Sequence, residues 1–135
     1  MRMKEICLCL LLLPVGGFAS GKRSAAVPPP SRIAFGSCIH QDRTHQILDP
    51  VLEAAPELFI FLGDKIYGDT QDMAVLETKY RQVAAKPPFA ALRAEVPMIA
   101  TWDDHDYGVN DGGREYPMKE ASKEVFLRFW DEPAD

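Results

Sequence analysis

In residues 58–64, LFIFLGD, five consecutive apolar residues run directly into a glycine and an aspartate. Pro56 and Gly63 bound the apolar run, and a short run of this kind is typical of a strand that is buried on both faces. Such strands belong to parallel sheets, in which helices cover both sides. The stretch therefore predicts a central parallel strand, with Asp64 just beyond its carboxyl end.

Two more apolar runs end in the same way. Residues 33–35, IAF, stop at Gly36, and residues 96–101, VPMIAT, are followed by an acidic segment with several glycines, 102–113, which we expect to be a loop. Helical patterns separate these runs and follow the last one, at residues 44–55, 73–85, 89–94 and 119–130. The alternation predicts an α/β fold, with βαβ units around a parallel sheet.

Proline and aspartate define the predicted start of the first helix. Pro50 is tolerated only in the first turn of a helix, so Asp49 is the predicted N-cap. His45 lies in the same stretch and is expected at its surface, because histidine is seldom fully buried. Pro87 and Pro88 end the helical pattern that precedes them.

The N-terminal residues predict export. Arg2 and Lys4 precede an apolar run at 6–15 and small residues up to Ala19, which is the pattern of a signal peptide, residues 1–19. An uncleaved anchor is the alternative, although ten apolar residues are too few to cross a bilayer. Residues 20–31 are polar, end in three prolines and are interpreted as an extended linker, which leaves 32–135 as the folded portion. We expect a periplasmic or extracellular protein without a stable membrane span.

The charge and the cysteine content of the chain limit the kinds of ligand and site that it can have. The chain has a formal charge of −5 and contains no run of basic residues. It therefore offers no surface for nucleic-acid phosphates. Cys7 and Cys9 fall within the predicted signal peptide, so Cys38 is the one cysteine of the predicted mature chain. A lone thiol in an oxidising compartment indicates burial, pairing with another chain or metal binding.

The residues that follow the predicted strands are of the types that hold metal ions. Cys38 and His40 follow the first strand, Asp64 the second and Asp104 the third. Because the carboxyl ends of parallel strands meet at one edge of a sheet, we expect these side chains to gather there. Tyr67 reaches the same side if the turn after Asp64 continues into a helix, and its phenolate suits a hard ion such as Fe(III).

The segment 103–106, DDHD, places three carboxylates around one imidazole. Such crowding is costly unless the carboxylates are solvated, hydrogen-bonded or neutralised by cations. Asp64 is the candidate carboxylate that bridges two metals, and Asp104 the candidate ligand of the second. His105 is the candidate catalytic residue that donates to a substrate oxygen, with Asp106 holding its ring in one tautomer. A solvated acidic loop is the alternative for this segment, and Asp69 is interpreted as an ordinary loop residue.

Four segments match a known pattern: FGSC at 35–38, LGDKIYGD at 62–69, VPMIATWDDHDYG at 96–108 and NDGG at 110–113. They resemble the N-terminal half of a PhoD-like alkaline phosphatase, in the alkaline phosphatase D branch of the calcineurin-like metallophosphatases. The resemblance implies a four-layer α/β/β/α sandwich, of which this chain is the first half. It also implies hydrolysis of phosphate monoesters or diesters by a hydroxide that two metal ions activate. The implied cofactors are iron plus calcium, or another divalent ion such as zinc, manganese or magnesium.

The resemblance also implies roles for single residues. Cys38 stands where most metallophosphatases have the first aspartate of an Asp-x-His motif, and His40 falls on the histidine of that motif. Asp64 corresponds to the bridging aspartate, and Tyr67 corresponds to a ligand tyrosine. All four are therefore implied metal ligands.

The third matching segment supplies the implied catalytic residue. Asp104 takes the place of the asparagine in a Gly-Asn-His-Asp motif, and His105 matches the catalytic histidine of that motif. Metallophosphatases take further histidine ligands from later loops, and no histidine follows His105 in this sequence. Two hypotheses therefore stand: an exported phosphoesterase, and a truncated secreted fragment that binds a metal or a partner without catalysis.

Overall fold

The computed structural model describes residues 28–131. The predicted signal peptide and most of the predicted linker lie outside the described residues. Within that range the chain alternates strands and helices in the order β1 (Ile33–Gly36), α1 (Leu48–Glu53), β2 (Leu58–Phe61), α2 (Met73–Ala84), α3 (Pro87–Glu95), β3 (Met98–Ala100), α4 (Asp104–Tyr107) and α5 (Lys119–Trp130). None of these helices is long and apolar enough to cross a bilayer.

The three strands form one parallel sheet with β2 in the centre. Gly36 of β1 pairs with Phe61 of β2, and Phe61 pairs with Ala100 of β3 on the other side. The last residues of all three strands therefore lie level, and the loops that follow them leave from one edge of the sheet. The predicted α/β fold with a parallel sheet is confirmed.

The hydrophobic core lies on one face of this sheet. Phe59 and Phe61 are buried there, because side chains two apart in a strand share a face. The Phe61 ring lies 5.8 Å, centroid to centroid, from the rings of Phe89 on α3 and Trp130 on α5. Helix α2 contributes Leu76, Tyr80 and Val83 to the same cluster.

The opposite face of the sheet is open within residues 28–131. Ile33 and Phe35 of β1 are 50% and 70% exposed, and Ile99 of β3 is 55% exposed. Leu58 and Ile60 of the central strand are half-buried. The prediction that β2 is buried on both faces is therefore wrong for the described part of the chain, because helices cover only one side of it.

Two helices differ from the sequence-based expectation. Helix α1 has Ile47 at its N-cap, so Asp49 lies in the first turn and is not the cap. Helix α4 forms inside the predicted loop 102–113, because Asp103 and Asp106 make a capping box. In this box the Asp103 side chain accepts from the first turn, and Asp106 accepts from the Asp103 backbone N–H at 3.2 Å.

Candidate metal centre

The aligned strand ends bring the predicted site segments together. The Cys38 backbone N–H donates to the Gly63 carbonyl at 3.3 Å, and the Cys38 Sγ lies 3.7 Å from Asp64 Oδ2. Gly63 has φ 117°, and a Cβ placed on it would lie 2.5 Å from the Cβ of Asp103. The close approach of the loops after β2 and β3 therefore requires a glycine at this position.

Three of the predicted residues form a cluster that suits a cation. Asp64, Asp104 and His105 each offer one ligand atom, and these atoms all lie within 4.8 Å of one another. Oδ1 of Asp64 is buried and has no hydrogen-bond partner within residues 28–131. A buried carboxylate oxygen without a partner is unfavourable, and a bound cation would satisfy it. The carboxylates of Asp64 and Asp104 therefore fit a metal ion, and the imidazole of His105 lies beside them.

The surroundings of Asp64 disfavour its charge when no cation is bound. Burial raises the pKa of Asp64 above its ordinary value, and His105 opposes the rise. The neighbouring carboxylates of Asp106, Asp103 and Asp104 raise the pKa further. A cation beside these groups would lower the pKa of Asp64, because an opposite charge favours the ionised carboxylate.

Asp104 is held in the ionised form by backbone groups. Its Oδ2 accepts from the Asp111 N–H at 2.5 Å, and its Oδ1 accepts from the His105 N–H at 3.0 Å. The Asp111 N–H is the main cause that lowers the pKa of Asp104 below its ordinary value. Asp104 therefore presents a negative charge to the cluster across the ordinary pH range.

The ring of His105 is oriented by Asp69. Nδ1 of His105 lies 2.9 Å from Oδ1 of Asp69, which also accepts from the Asn110 N–H at 2.9 Å. Because a carboxylate accepts, Nδ1 carries the hydrogen in this contact. Burial opposes the charged form of His105 most strongly, but the hydrogen bond and charge of Asp69, together with the charges of Asp104 and Asp64, raise the pKa of His105.

The prediction that Asp106 orients the ring of His105 is wrong. Asp106 is fully buried, and its Oδ1 accepts from the backbone N–H groups of Lys65 at 2.9 Å and Ile66 at 3.3 Å. Its Oδ2 lies 3.1 Å from Nζ of the buried Lys65. Lys65 Nζ also donates to the carbonyl of Thr101. Asp106 therefore ties the turn after β2 to helix α4 and faces the interior.

Tyr67 stands between two imidazoles. Its ring centroid lies 4.2 Å from that of His105 and 4.7 Å from that of His40, with the His40 ring stacked on it. The turn after Asp64 does not continue into a helix. Tyr67 is held by its backbone, since Gln41 Oε1 accepts from its N–H at 2.9 Å. Burial, followed by the charge of Cys38, raises the pKa of Tyr67.

The predicted ligands thus divide into two groups. Asp64 and Asp104 lie in the cluster with His105, the predicted catalytic residue, and Cys38 borders it at Asp64. His40 lies behind Tyr67, with its Nδ1 accepting from the Asp42 N–H at 3.2 Å. The structure brings all the predicted ligands to one edge of the sheet but gathers only part of the set around a single point.

Two residues near the site lie elsewhere than the sequence predicted. Asp69, interpreted as an ordinary loop residue, meets His105, and nothing in its spacing from Asp64 indicates this. His45, expected at the surface, is 5% exposed and precedes α1. Its Nε2 contacts the His40 carbonyl at 2.8 Å.

Comparisons with known proteins found no matching family model, no matching curated protein and no matching solved structure. The class of the chain therefore rests on its own fold and site. These are an α/β fold with a parallel sheet and an aspartate–histidine cluster at the carboxyl edge of that sheet.

Proposed function

We propose that the chain is the first half of an exported PhoD-like phosphoesterase, which hydrolyses phosphate monoesters or diesters at a two-metal site. The observation that carries the proposal is the cluster of Asp64, Asp104 and His105, in which a buried carboxylate oxygen of Asp64 has no partner in the described part of the chain. Its position at the carboxyl edge of a parallel sheet is where open α/β sheets bind ligands.

The proposed metal ligands follow from this arrangement and from the resemblance. Cys38, Asp64 and Tyr67 hold the first ion, with His40 as a further candidate, and Asp64 and Asp104 hold the second. Iron plus calcium, or zinc, manganese or magnesium, fit this mixture of donors. When bound, two such ions supply a hydroxide nucleophile and neutralise charge on the phosphoryl oxygens.

His105 is the proposed catalytic residue. Asp69 keeps the hydrogen on Nδ1 and leaves Nε2 for the substrate. The raised pKa of His105 favours the form in which Nε2 carries a proton. In that form Nε2 donates to a phosphoryl or leaving-group oxygen and stabilises its developing charge. Asp69 acts through His105 and is therefore a positioning residue.

The open face of the sheet supports the proposed four-layer sandwich. A parallel sheet is usually covered on both faces, yet Ile33, Phe35 and Ile99 expose large apolar side chains on one. In a sandwich the inner face of a second sheet packs against such a surface at about 10 Å. A second sheet is the proposed cover in the complete enzyme.

The test of the proposed function is metal-dependent hydrolysis by the full-length gene product that contains this chain. The assays use p-nitrophenyl phosphate as the monoester and bis(p-nitrophenyl) phosphate as the diester, with Fe(III) plus Ca²⁺ or with Mn²⁺. We expect turnover of at least one ester, lost on chelation and in Asp64→Asn. Asp49→Asn, which neutralises an exposed carboxylate on α1, is the matched control and keeps the activity. Turnover that survives Asp64→Asn would contradict the proposed bridge.

Export has a separate test. Expression of the full chain in a secreting host should yield a product whose first residue is Ser20, read by N-terminal sequencing. A product that keeps residues 1–19 and sediments with membranes would favour the uncleaved anchor.

The exposed apolar face also favours the second hypothesis, a secreted fragment without catalysis. This hypothesis predicts weak binding of one metal ion, no turnover of either ester, and strong fluorescence of a dye that binds apolar surface. Turnover together with weak dye fluorescence would count against it.

A further inference from the structure

A cleft lies beside the metal cluster, against the segment that follows β1. Its volume is about 570 Å³, and its walls include Cys38, His40, Arg43, Thr44, His45 and Tyr67. Cys38 lines the cleft and also contacts the cluster, because its Sγ lies 3.7 Å from Asp64 Oδ2. The cleft is therefore continuous with the proposed active site.

The charge of this cleft is opposite to that of the cluster. Its one formally charged side chain is that of Arg43, and none of the described residues that line it is a carboxylate, although Asp42 Oδ2 lies 3.6 Å from Nδ1 of His40. The guanidinium of Arg43 is exposed and forms no hydrogen bond or ion pair with any residue in the range 28–131. In a chain with a formal charge of −5, a cleft free of carboxylates favours an anionic ligand.

The cleft wall also holds a buried polar atom without a partner. His45 is almost completely buried, and its Nε2 hydrogen is directed to the carbonyl of His40. Its Nδ1 has no hydrogen-bond partner among the described residues. A buried polar atom of this kind is usually satisfied in the working state of a protein. Because Nε2 carries the hydrogen, Nδ1 is an acceptor and would take a donor such as water, so the case for an anionic ligand rests on Arg43.

A row of three neighbouring rings, with those of Tyr67 and His40 stacked, joins the cluster to the cleft. The rings of His105 and Tyr67 lie 4.2 Å apart, and those of Tyr67 and His40 lie 4.7 Å apart. His105 belongs to the cluster, whereas His40 and Tyr67 line the cleft. A molecule whose phosphate lies at the cluster can therefore run along this row toward Arg43.

We propose that the cleft holds the leaving group of the substrate and that Arg43 pairs with a second anionic group on it. The substrate class is then a phosphate ester whose leaving group itself carries a carboxylate or a phosphate. A guanidinium suits either group, because its planar fork donates two parallel hydrogen bonds to paired oxygens. The inference rests on the proposed function, since it places the scissile phosphate at the cluster.

The test compares matched phosphonates that cannot be hydrolysed. Titration calorimetry measures the binding of propylphosphonate and 3-phosphonopropionate to the Mn²⁺-loaded full chain. The same measurement is repeated with the corresponding pairs of four and five carbon atoms. Each pair differs only by a terminal methyl or carboxylate. We expect the carboxylate to bind about fivefold more tightly in at least one pair, as for a partly exposed ion pair.

Arg43→Gln should reduce that ratio to about one and leave the affinity for the alkylphosphonate unchanged. Arg114→Gln is the matched control, because Arg114 is an exposed arginine in a separate cleft beside Asp104, and it should keep the ratio. Circular dichroism and thermal melting check that both variants fold as the wild type does.

The outcomes separate the inference from the proposed function. The role of Arg43 is overturned if the wild type binds the carboxylate and the methyl compound equally well at every chain length. It is also overturned if the preference for the carboxylate is lost in Arg114→Gln but not in Arg43→Gln. Alkylphosphonate binding that requires Mn²⁺ and Asp64 would still leave the proposed function standing. Failure of every phosphonate to bind overturns the proposed function, and the inference with it.

Discussion

Nδ1 of His105 lies 2.9 Å from Oδ1 of Asp69, although 36 residues separate the two in the chain. The contact joins the loop after β2 to helix α4, which follows β3. Asp69 also accepts from the Asn110 N–H, so one carboxylate from the loop after β2 contacts two residues that follow β3. The orientation of the candidate catalytic histidine therefore depends on a residue from another loop.

Asp69→Asn should lower the pKa of His105, because the charge of Asp69 and its hydrogen bond hold that pKa above its ordinary value. A group with a raised pKa in the folded state stabilises the fold below its unfolded pKa, and this contribution fades as the pH rises through the folded value. The variant should therefore lose more stability near pH 5 than near pH 8. NMR titration of the imidazole and urea denaturation at both pH values measure this, with Asp72→Asn, a change at the N-cap of α2 where asparagine also caps, as the control. Equal losses at the two pH values would contradict the prediction.

Asp64→Asn should stabilise the metal-free protein by about 1 kcal/mol, as is common when a strained functional group is replaced. The reason is that burial and three neighbouring carboxylates disfavour the Asp64 charge. Mn²⁺ should raise the melting temperature of the wild type and leave that of the variant almost unchanged. Urea denaturation with a chelator and thermal melting with Mn²⁺ provide the two readings. A variant less stable than the wild type without metal would show that Asp64 is structural.

Gly63→Ala should destabilise the fold by about 1–3 kcal/mol and weaken metal binding. The new Cβ would lie 2.5 Å from the Cβ of Asp103, at a backbone φ of 117°. Gly36→Ala is the matched control, because its Cβ would meet only the tip of the Phe59 ring at 3.6 Å, an ordinary contact. Both free energies of unfolding come from urea denaturation. Similar losses in the two variants would refute the argued close approach.

Lys65→Met and Asp106→Asn should each cost about 3–5 kcal/mol, because each leaves one member of a buried ion pair without its partner. The double variant should cost less than the sum of the two single changes. A double-mutant cycle of urea denaturation measures the coupling. Additive losses would mean that the two side chains stabilise the fold independently.

The strands and the core could be predicted from local patterns. The run LFIFLGD predicts β2 and the position of Asp64, since apolar length and flanking breakers are properties of adjacent residues. The same reasoning places Cys38, Asp64 and Asp104 at one edge, because parallel strands end together. The face of the sheet that stays open was not predictable, since burial of the second face depends on which elements return to it.

The partners of charged side chains could not be predicted in this way. Asp69 and Asp106 are both aspartates near the motif residues, and nothing in their spacing distinguishes the one that meets His105 from the one that meets Lys65. The alternative partners lie on different loops, so the choice depends on how those loops fold over the sheet edge. His45 is buried for the same reason, through a contact with His40 in the loop after β1.

By itself, then, the sequence determined the α/β class, the parallel strands and the edge at which the acidic residues collect. Only the tertiary structure decided that Asp69 orients His105, that Asp106 is buried against Lys65, and that Arg43 lines an open cleft. The physical reason is the separation along the chain over which each kind of interaction acts. Side-chain periodicity acts between neighbours in the chain, whereas hydrogen bonds and ion pairs form between whichever groups the completed fold brings within about 3 Å.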